Sequence, residues 1–291
     1  MKYSDKNKPI QCMMRQSTCY NGTTIGKPVG VLWHSTGANN PWISRYVQPD
    51  DNAPDRAELI KKIGTNRYGT DWNHNTIYAG LNFWVGKLAD GTVGTVQTLP
   101  DNYRPWGCGS GKYGSCNGKT DGPTWLQFEI CEDTLNNKDY FMKCYYEACE
   151  LTAYICKKYN IDPNGTVNYN GVIVPTILCH YDSCLLGLGS NHGDIYHWSK
   201  KYNINMKNVR EDVQKILNGE DLEVTQEQFN SMMNTWLAER AKEQPGEWSK
   251  TYRNWAEKNG IFSGDEGGMR YKSFITREEI AAVLYRENQL K

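Results

Sequence analysis

The chain has 291 residues, enough to bury a substantial core in one large domain with a small second one. Lys plus Arg and Asp plus Glu number 33 each, and the stretch from Val224 onward holds ten of each sign. Neither part therefore has the charge footprint of a nucleic-acid binder or of a protein that docks on anionic membranes.

Residues 1–9 lack the apolar segment of a signal peptide, and no run approaches the length of a transmembrane helix. The expectation is a soluble product made in the cytosol, without membrane association, that needs help to act outside.

Val29-Gly30-Val31-Leu32-Trp33 is a short continuous apolar run, the pattern of a strand covered on both faces, and it ends on His34-Ser35-Thr36-Gly37. Between Asn82 and Leu99, Asp90-Gly91 separates two β-rich segments, a strong hairpin signal. A Gly/Ser/Asn-rich loop at 107–123 leads into Trp125-Leu126-Gln127-Phe128-Glu129-Ile130, which reads as another core strand. Over 139–158, Phe141, Cys144, Tyr145, Ala148, Cys149, Thr152, Ile155 and Cys156 share one helical face. Val172 to Leu178 reads as one further strand, delivering His180. A helix over about 207–217 carries Val209, Val213, Ile216 and Leu217 and stops at Asn218-Gly219. Strands alternate with helices, so residues 1–217 form an α/β domain.

Residues 218–223 read as a polar linker, and 224–291 as a small α-helical module with a weak internal repeat. Val224-Thr225-Gln226-Glu227-Gln228-Phe229 matches Ile275-Thr276-Arg277-Glu278-Glu279-Ile280, each with a Thr N-cap and a Glu in the first turn, the capping-box signature. Between them Trp248, Tyr252, Trp255 and Ala256 mark another helix, ended by Asn259-Gly260. The tryptophans are read as core.

Three of the five histidines fall in two short stretches: His34 at one strand end, and Cys179-His180 followed by Ser190-Asn191-His192-Gly193-Asp194. Three imidazoles, or two and a carboxylate, leave a fourth position open on a zinc ion, as in catalytic zinc sites. His74 and His197 are read as structural, or as supporting groups behind the metal ligands. Ten cysteines lie between Cys12 and Cys184 without a C-x-x-C pair, so most read as small core residues. Cys108 and Cys116, flanking the Gly-rich loop, are the pair to join if any disulfide forms.

With these pieces in order, residues 1–217 resemble the zinc-dependent N-acetylmuramoyl-L-alanine amidases of the type 2 class, the peptidoglycan recognition protein-like family. The landmarks are His34-Ser35-Thr36-Gly37, the Asp90-Gly91 hairpin running to Leu99-Pro100, Arg104-Pro105-Trp106, Glu129, His180, and the cluster from 190 to Trp198. The likeness is greatest to endolysins of clostridial phages and prophages. The tail resembles one S-layer homology repeat through Trp248, Trp255-Ala256, Gly260-Ile261, Gly264-Asp265, Phe274 and Ile275-Thr276-Arg277-Glu278, preceded by a fragment of another.

The resemblance implies a central mixed β-sheet flanked by helices and a peptidoglycan substrate cut between N-acetylmuramic acid and L-alanine. It implies zinc as cofactor on His34, His180 and a third ligand eight to twelve residues past the second. His192 fits that spacing, with Asp194 as the alternative. Glu129 matches the catalytic carboxylate of the family's subgroup that uses a Glu, taking the proton of the attacking water and passing it to the leaving amine. Trp106, Asn82 and Ser190 are assigned to the substrate groove. Asn82 or Phe83 stands where many members have Tyr, and Ser190 where a Lys often stabilises the oxyanion two residues before the third ligand. The tail implies binding of a secondary cell-wall polymer, while a single repeat leaves homo-oligomer formation or packing on the amidase open. A missing signal peptide fits release through a holin-type lesion. Two rivals stand beside the amidase: a non-catalytic recognition protein, and a stem-peptide peptidase on the same scaffold.

Overall fold

Trp33 and Phe128 meet edge to face, their ring centroids 5.0 Å apart, on neighbouring strands of a six-stranded sheet. The structure is a computed structural model describing every residue except 21–22, 76–77, 121, 221, 223–225, 265–267 and 291. It divides into two units, Met1–Leu222 and Glu223–Lys291.

In chain order the strands are β1 (Ile10–Gln11), β2 (Gly30–Ser35), β3 (Phe83–Lys87), β4 (Val93–Gln97), β5 (Trp125–Ile130), β6 (Thr166–Tyr169), β7 (Val172–Pro175) and β8 (Ile177–Cys179). The helices are α1 (Arg56–Ile63), α2 (Lys138–Tyr159), α3 (His180–Leu185), α4 (Tyr196–Ser199), α5 (Met206–Leu217), α6 (Gln226–Lys242), α7 (Lys250–Lys258) and α8 (Arg277–Asn288). The main sheet has the order β1-β4-β3-β5-β2-β8, with β3, β5, β2 and β8 parallel and β4 antiparallel to β3. This is the mixed sheet flanked by helices that the sequence implies.

All six residues of β2 are buried, as its unbroken apolar run requires of a central strand. Its alternation divides the core. Val31 and Trp33, with Leu126, Phe128, Ile130, Phe83 and Val85, belong to the layer that contains α2 and α5. The 22-residue α2 is capped by Asn137, whose side chain accepts from the Tyr140 N–H, and closes on Asn160 at a left-handed φ of 54°. On α5, Met206, Val209, Val213 and Ile216 are buried behind an Asn205 capping box. A second layer gathers Trp84, Val96, Tyr46, Ile43 and the α1 residues Leu59 and Ile63. Leu32, Trp125, Leu178 and Leu188 form a third. Truncating a fully buried aromatic such as Trp33 costs about 3–5 kcal/mol.

Three local readings change. The run Val172 to Leu178 is two strands, because Pro175 has no N–H for a ladder. β7 pairs back on β6, the Thr176 carbonyl accepts from the Val31 N–H at 2.8 Å, and β8 joins β2. α1 and the two-residue β1 carry little periodicity and went unpredicted. Leu222, inside the expected linker, packs against the main core.

In the second unit, α8 has the expected capping box, Thr276 and Glu279 bonding reciprocally at 3.2 and 2.7 Å. The matching Thr225 and the Asp265 of the repeat pattern lie outside the described residues. Arg240 Nε donates to the Lys272 carbonyl at 3.1 Å and Arg286 Nη1 to that of Ile261 at 2.9 Å. The tryptophans are not core. Trp248 is 80 % exposed and sits on a 3-10 turn ahead of α7, Trp255 is 54 % exposed, and the buried apolar residues among those described are Ala256 and Ile261. No described helix is long and apolar enough to cross a membrane.

Candidate metal centre

The functional side chains rise from the carboxyl ends of parallel strands, where α/β sheets offer their open crevices. His34 ends the apolar part of β2, Glu129 sits at its register partner position on β5, and His180 follows β8 as the first residue of α3. Asp194 comes from the loop ahead of α4. Alternation on β5 puts Gln127 and Glu129 on the sheet face opposite Phe128 and the α2 layer, the face of His34.

His34, His180 and Asp194 form a buried cluster, with one donor atom from each within 4.8 Å of the others. His34 Nδ1 lies 3.1 Å from His180 Nδ1 and 3.1 Å from Asp194 Oδ2, while His180 Nδ1 is 3.4 Å from Asp194 Oδ1. The outer ring nitrogens point away: His34 Nε2 is 3.0 Å from Gln127 Oε1, and His180 Nε2 is 3.1 Å from Ser190 Oγ. Burial alone raises the Asp194 proton affinity, but the imidazoles of His180 and His34 beside it hold it well below the usual carboxylate range. Two imidazole nitrogens and a carboxylate, converging and mostly dry, suit a divalent ion such as zinc with a fourth position open.

His192 is brought beside this cluster, not into it. Its ring is exposed, 4.6 Å from that of His180, and its Nδ1 lies 3.2 Å from Ser190 Oγ. The carboxylate occupies the inner position instead.

Glu129 is raised well above the ordinary carboxyl range, by burial first and then by the negative charges of Asp194 and Glu132. Asn82 departs from the groove assignment. It is fully buried, its amide donating to the Pro100 and Tyr103 carbonyls and its oxygen accepting from the Gln127 N–H, so it braces strands. Ser190, also assigned to the groove, holds His180 and donates towards the Cys108 carbonyl at 3.3 Å. Trp106 is 38 % exposed with the Arg104 guanidinium 4.1 Å above its ring, and the next residue, Gly107, packs against His34.

His74 is away from the cluster, bonded to Asp71 at 2.8 Å. His197 Nε2 lies 2.8 Å from Glu132 Oε1, and that buried carboxylate also accepts from the Gly37 N–H at 3.0 Å. Sequence reasoning missed Gln127 and Glu132. Gln127 was visible in principle, since Gln127 and Glu129 are the polar residues of β5 and fall two apart. All ten cysteines carry free thiols, Cys108 and Cys116 included.

Residues 24–201 match the family described as N-acetylmuramoyl-L-alanine amidase. A comparison with curated proteins finds no match. Among solved structures, the chain is similar to the Staphylococcus aureus hydrolase AmiA in complex with its ligand, at 16 % identity and a TM-score of 0.46, covering 74 % of this chain and 87 % of that one. It is also similar to PlyL, at 15 % identity and a TM-score of 0.42 over 75 % and 99 % of the two chains. A mutant endolysin from Bacillus subtilis gives 16 % identity and a TM-score of 0.40 over 70 % and 97 %.

Proposed function

The chain belongs to the N-acetylmuramoyl-L-alanine amidase family, and from that membership we propose that it is an endolysin-type peptidoglycan hydrolase whose zinc is held by His34, His180 and Asp194. It cuts the amide between N-acetylmuramic acid and L-alanine. The observation that carries this reading is the convergence of two Nδ1 atoms and a carboxylate at the open ends of parallel strands.

When bound, zinc supplies Lewis acidity that polarises the scissile carbonyl and brings the pKa of water down to about 7. The chain's own residues do the rest. Glu129 takes the proton of the attacking water on its carboxylate and returns it to the departing amine of L-alanine. With Asp194 as third ligand, the place two residues before it is His192, where the family resemblance puts an oxyanion-stabilising Lys. The exposed His192 imidazole, tethered through Ser190, takes that part. Trp106 offers its face to the glycan, and Gly107 keeps the backbone close to His34.

The second unit serves as an S-layer-homology-like module for a secondary cell-wall polymer, with Trp248, Tyr252 and Trp255 available on its surface. The enzyme acts on the cell wall, reached through a holin-type lesion.

Mass spectrometry of digested peptidoglycan tests the function. Glycan chains freed from intact stems that begin with L-alanine support the amidase, and cuts inside the stem would turn the reading to a peptidase. Intact sacculi after incubation with metal-replete protein would turn it to a binding protein.

A further inference from the structure

Behind His34 stands a relay of two side-chain amides that the proposed chemistry does not use. Gln127 is fully buried and Asn117 nearly so. The Asn117 oxygen accepts from the backbone N–H of Gly107 at 3.2 Å and of Cys108 at 3.1 Å, while its amide nitrogen donates to the Gly109 carbonyl at 3.1 Å. Backbone donors and acceptors cannot be exchanged, so the orientation of Asn117 is fixed.

The rest follows by elimination. Gln127 Nε2 lies 2.9 Å from Asn117 Oδ1, and an oxygen already accepting from two N–H groups can only accept again. Gln127 must therefore donate to Asn117 with its nitrogen, which turns its oxygen towards His34, 3.0 Å from Nε2. An amide oxygen cannot donate, so His34 must carry its proton on Nε2. The Nδ1 lone pair then faces His180 and Asp194.

We propose that the Asn117–Gln127 relay fixes the neutral His34 ring as the Nε2–H tautomer, so that Nδ1 is poised as a metal ligand before any metal arrives. Gln127 and Asn117 are positioning residues for His34. The direction of every bond is set from the backbone of the Gly107–Gly109 loop, 70 or more positions along the chain from His34. Around the cluster the consequence is electrostatic. Ser190 Oγ donates towards the Cys108 carbonyl and so accepts from His180 Nε2; two Nδ1 lone pairs and a carboxylate then face one another within 3.4 Å, an arrangement that a cation relieves.

This rests on the metal reading above, and its test separates the two. Long-range 1H–15N correlation spectra of the 15N-histidine-labelled apo-protein, at a pH where the rings are neutral, should show His34 as the Nε2–H form. In Gln127→Met the form should become mixed, and zinc affinity measured by chelator competition should fall roughly 10- to 100-fold. Gln127→Glu, which keeps an acceptor for His34 and, buried and protonated, still donates to Asn117, should lie closer to wild type. A wild-type His34 protonated on Nδ1, or unchanged zinc affinity in Gln127→Met, would overturn the relay. If Gln127→Met does not fold, the wild-type tautomer and the Gln127→Glu affinity still decide. Wild-type protein that binds no zinc but shows the Nε2–H form would refute the metal reading and leave the relay standing.

Discussion

Glu129 on β5 is the register partner of His34 on β2, so a candidate metal ligand and a candidate proton carrier stand side by side on neighbouring strands of one sheet face. The pairing separates their duties. Glu129→Ala should lower peptidoglycan hydrolysis by about 10²–10⁴-fold and leave zinc content at one per chain. Metal analysis beside a rate assay checks this, and loss of zinc in the variant would make Glu129 part of the metal shell.

The two candidates for the third ligand give opposite results under substitution. Asp194→Ala should bind no zinc at micromolar concentrations. His192→Ala should keep its zinc and lose about 10²–10³-fold in turnover, the usual effect of removing an oxyanion donor. The reverse pattern of zinc content would return the ligand to His192.

The Glu132 bond raises the His197 pKa above its ordinary value, against an opposing effect of burial. A raised histidine contributes stability that is fully present below its unfolded pKa, about 6.5, and is lost as pH rises through the higher folded value. The melting-temperature gap between wild type and His197→Ala should therefore be wider at pH 6 than at pH 9. A gap that grows with pH would contradict the assignment.

Gly30 is a packing requirement at the start of β2. A Cβ there would lie 2.1 Å from the Thr176 carbonyl oxygen and 2.4 Å from the Trp125 ring. Gly30→Ala should destabilise by about 1–3 kcal/mol, or roughly 2–4 °C per kcal/mol, by differential scanning calorimetry. An unchanged melting temperature would mean that β2 and β8 can part without cost.

Elements with strong periodicity could be read from the sequence alone. β2, the hairpin of β3 and β4, α2 and α5 each announce themselves by an unbroken apolar run, an Asp-Gly turn or a one-sided stripe. α1 and β1 do not, since eight and two residues hold too little pattern to stand above composition. At the site, His34 and His180 were visible because strands deliver them. Spacing could not choose between His192 and Asp194, because the loop after α3 decides which one turns inward. The position of Gln127 was legible from its spacing with Glu129, but its role was not: that depends on Asn117, and only the folded loop joins them. The tail misled in the opposite direction, because Trp248, Tyr252 and Trp255 at helical spacing read as core while a unit this small leaves them in water.

Nine of the ten thiols are buried, and Cys184 on α3 is only partly covered. Burial pushes Cys12, Cys144, Cys156 and Cys179 up to about 12, which leaves almost no thiolate to react at neutral pH. The native protein is thus singly addressable. A maleimide dye should couple once, at Cys184, four residues beyond His180. That would put one fluorescent label on the helix that begins at His180, without any engineered cysteine.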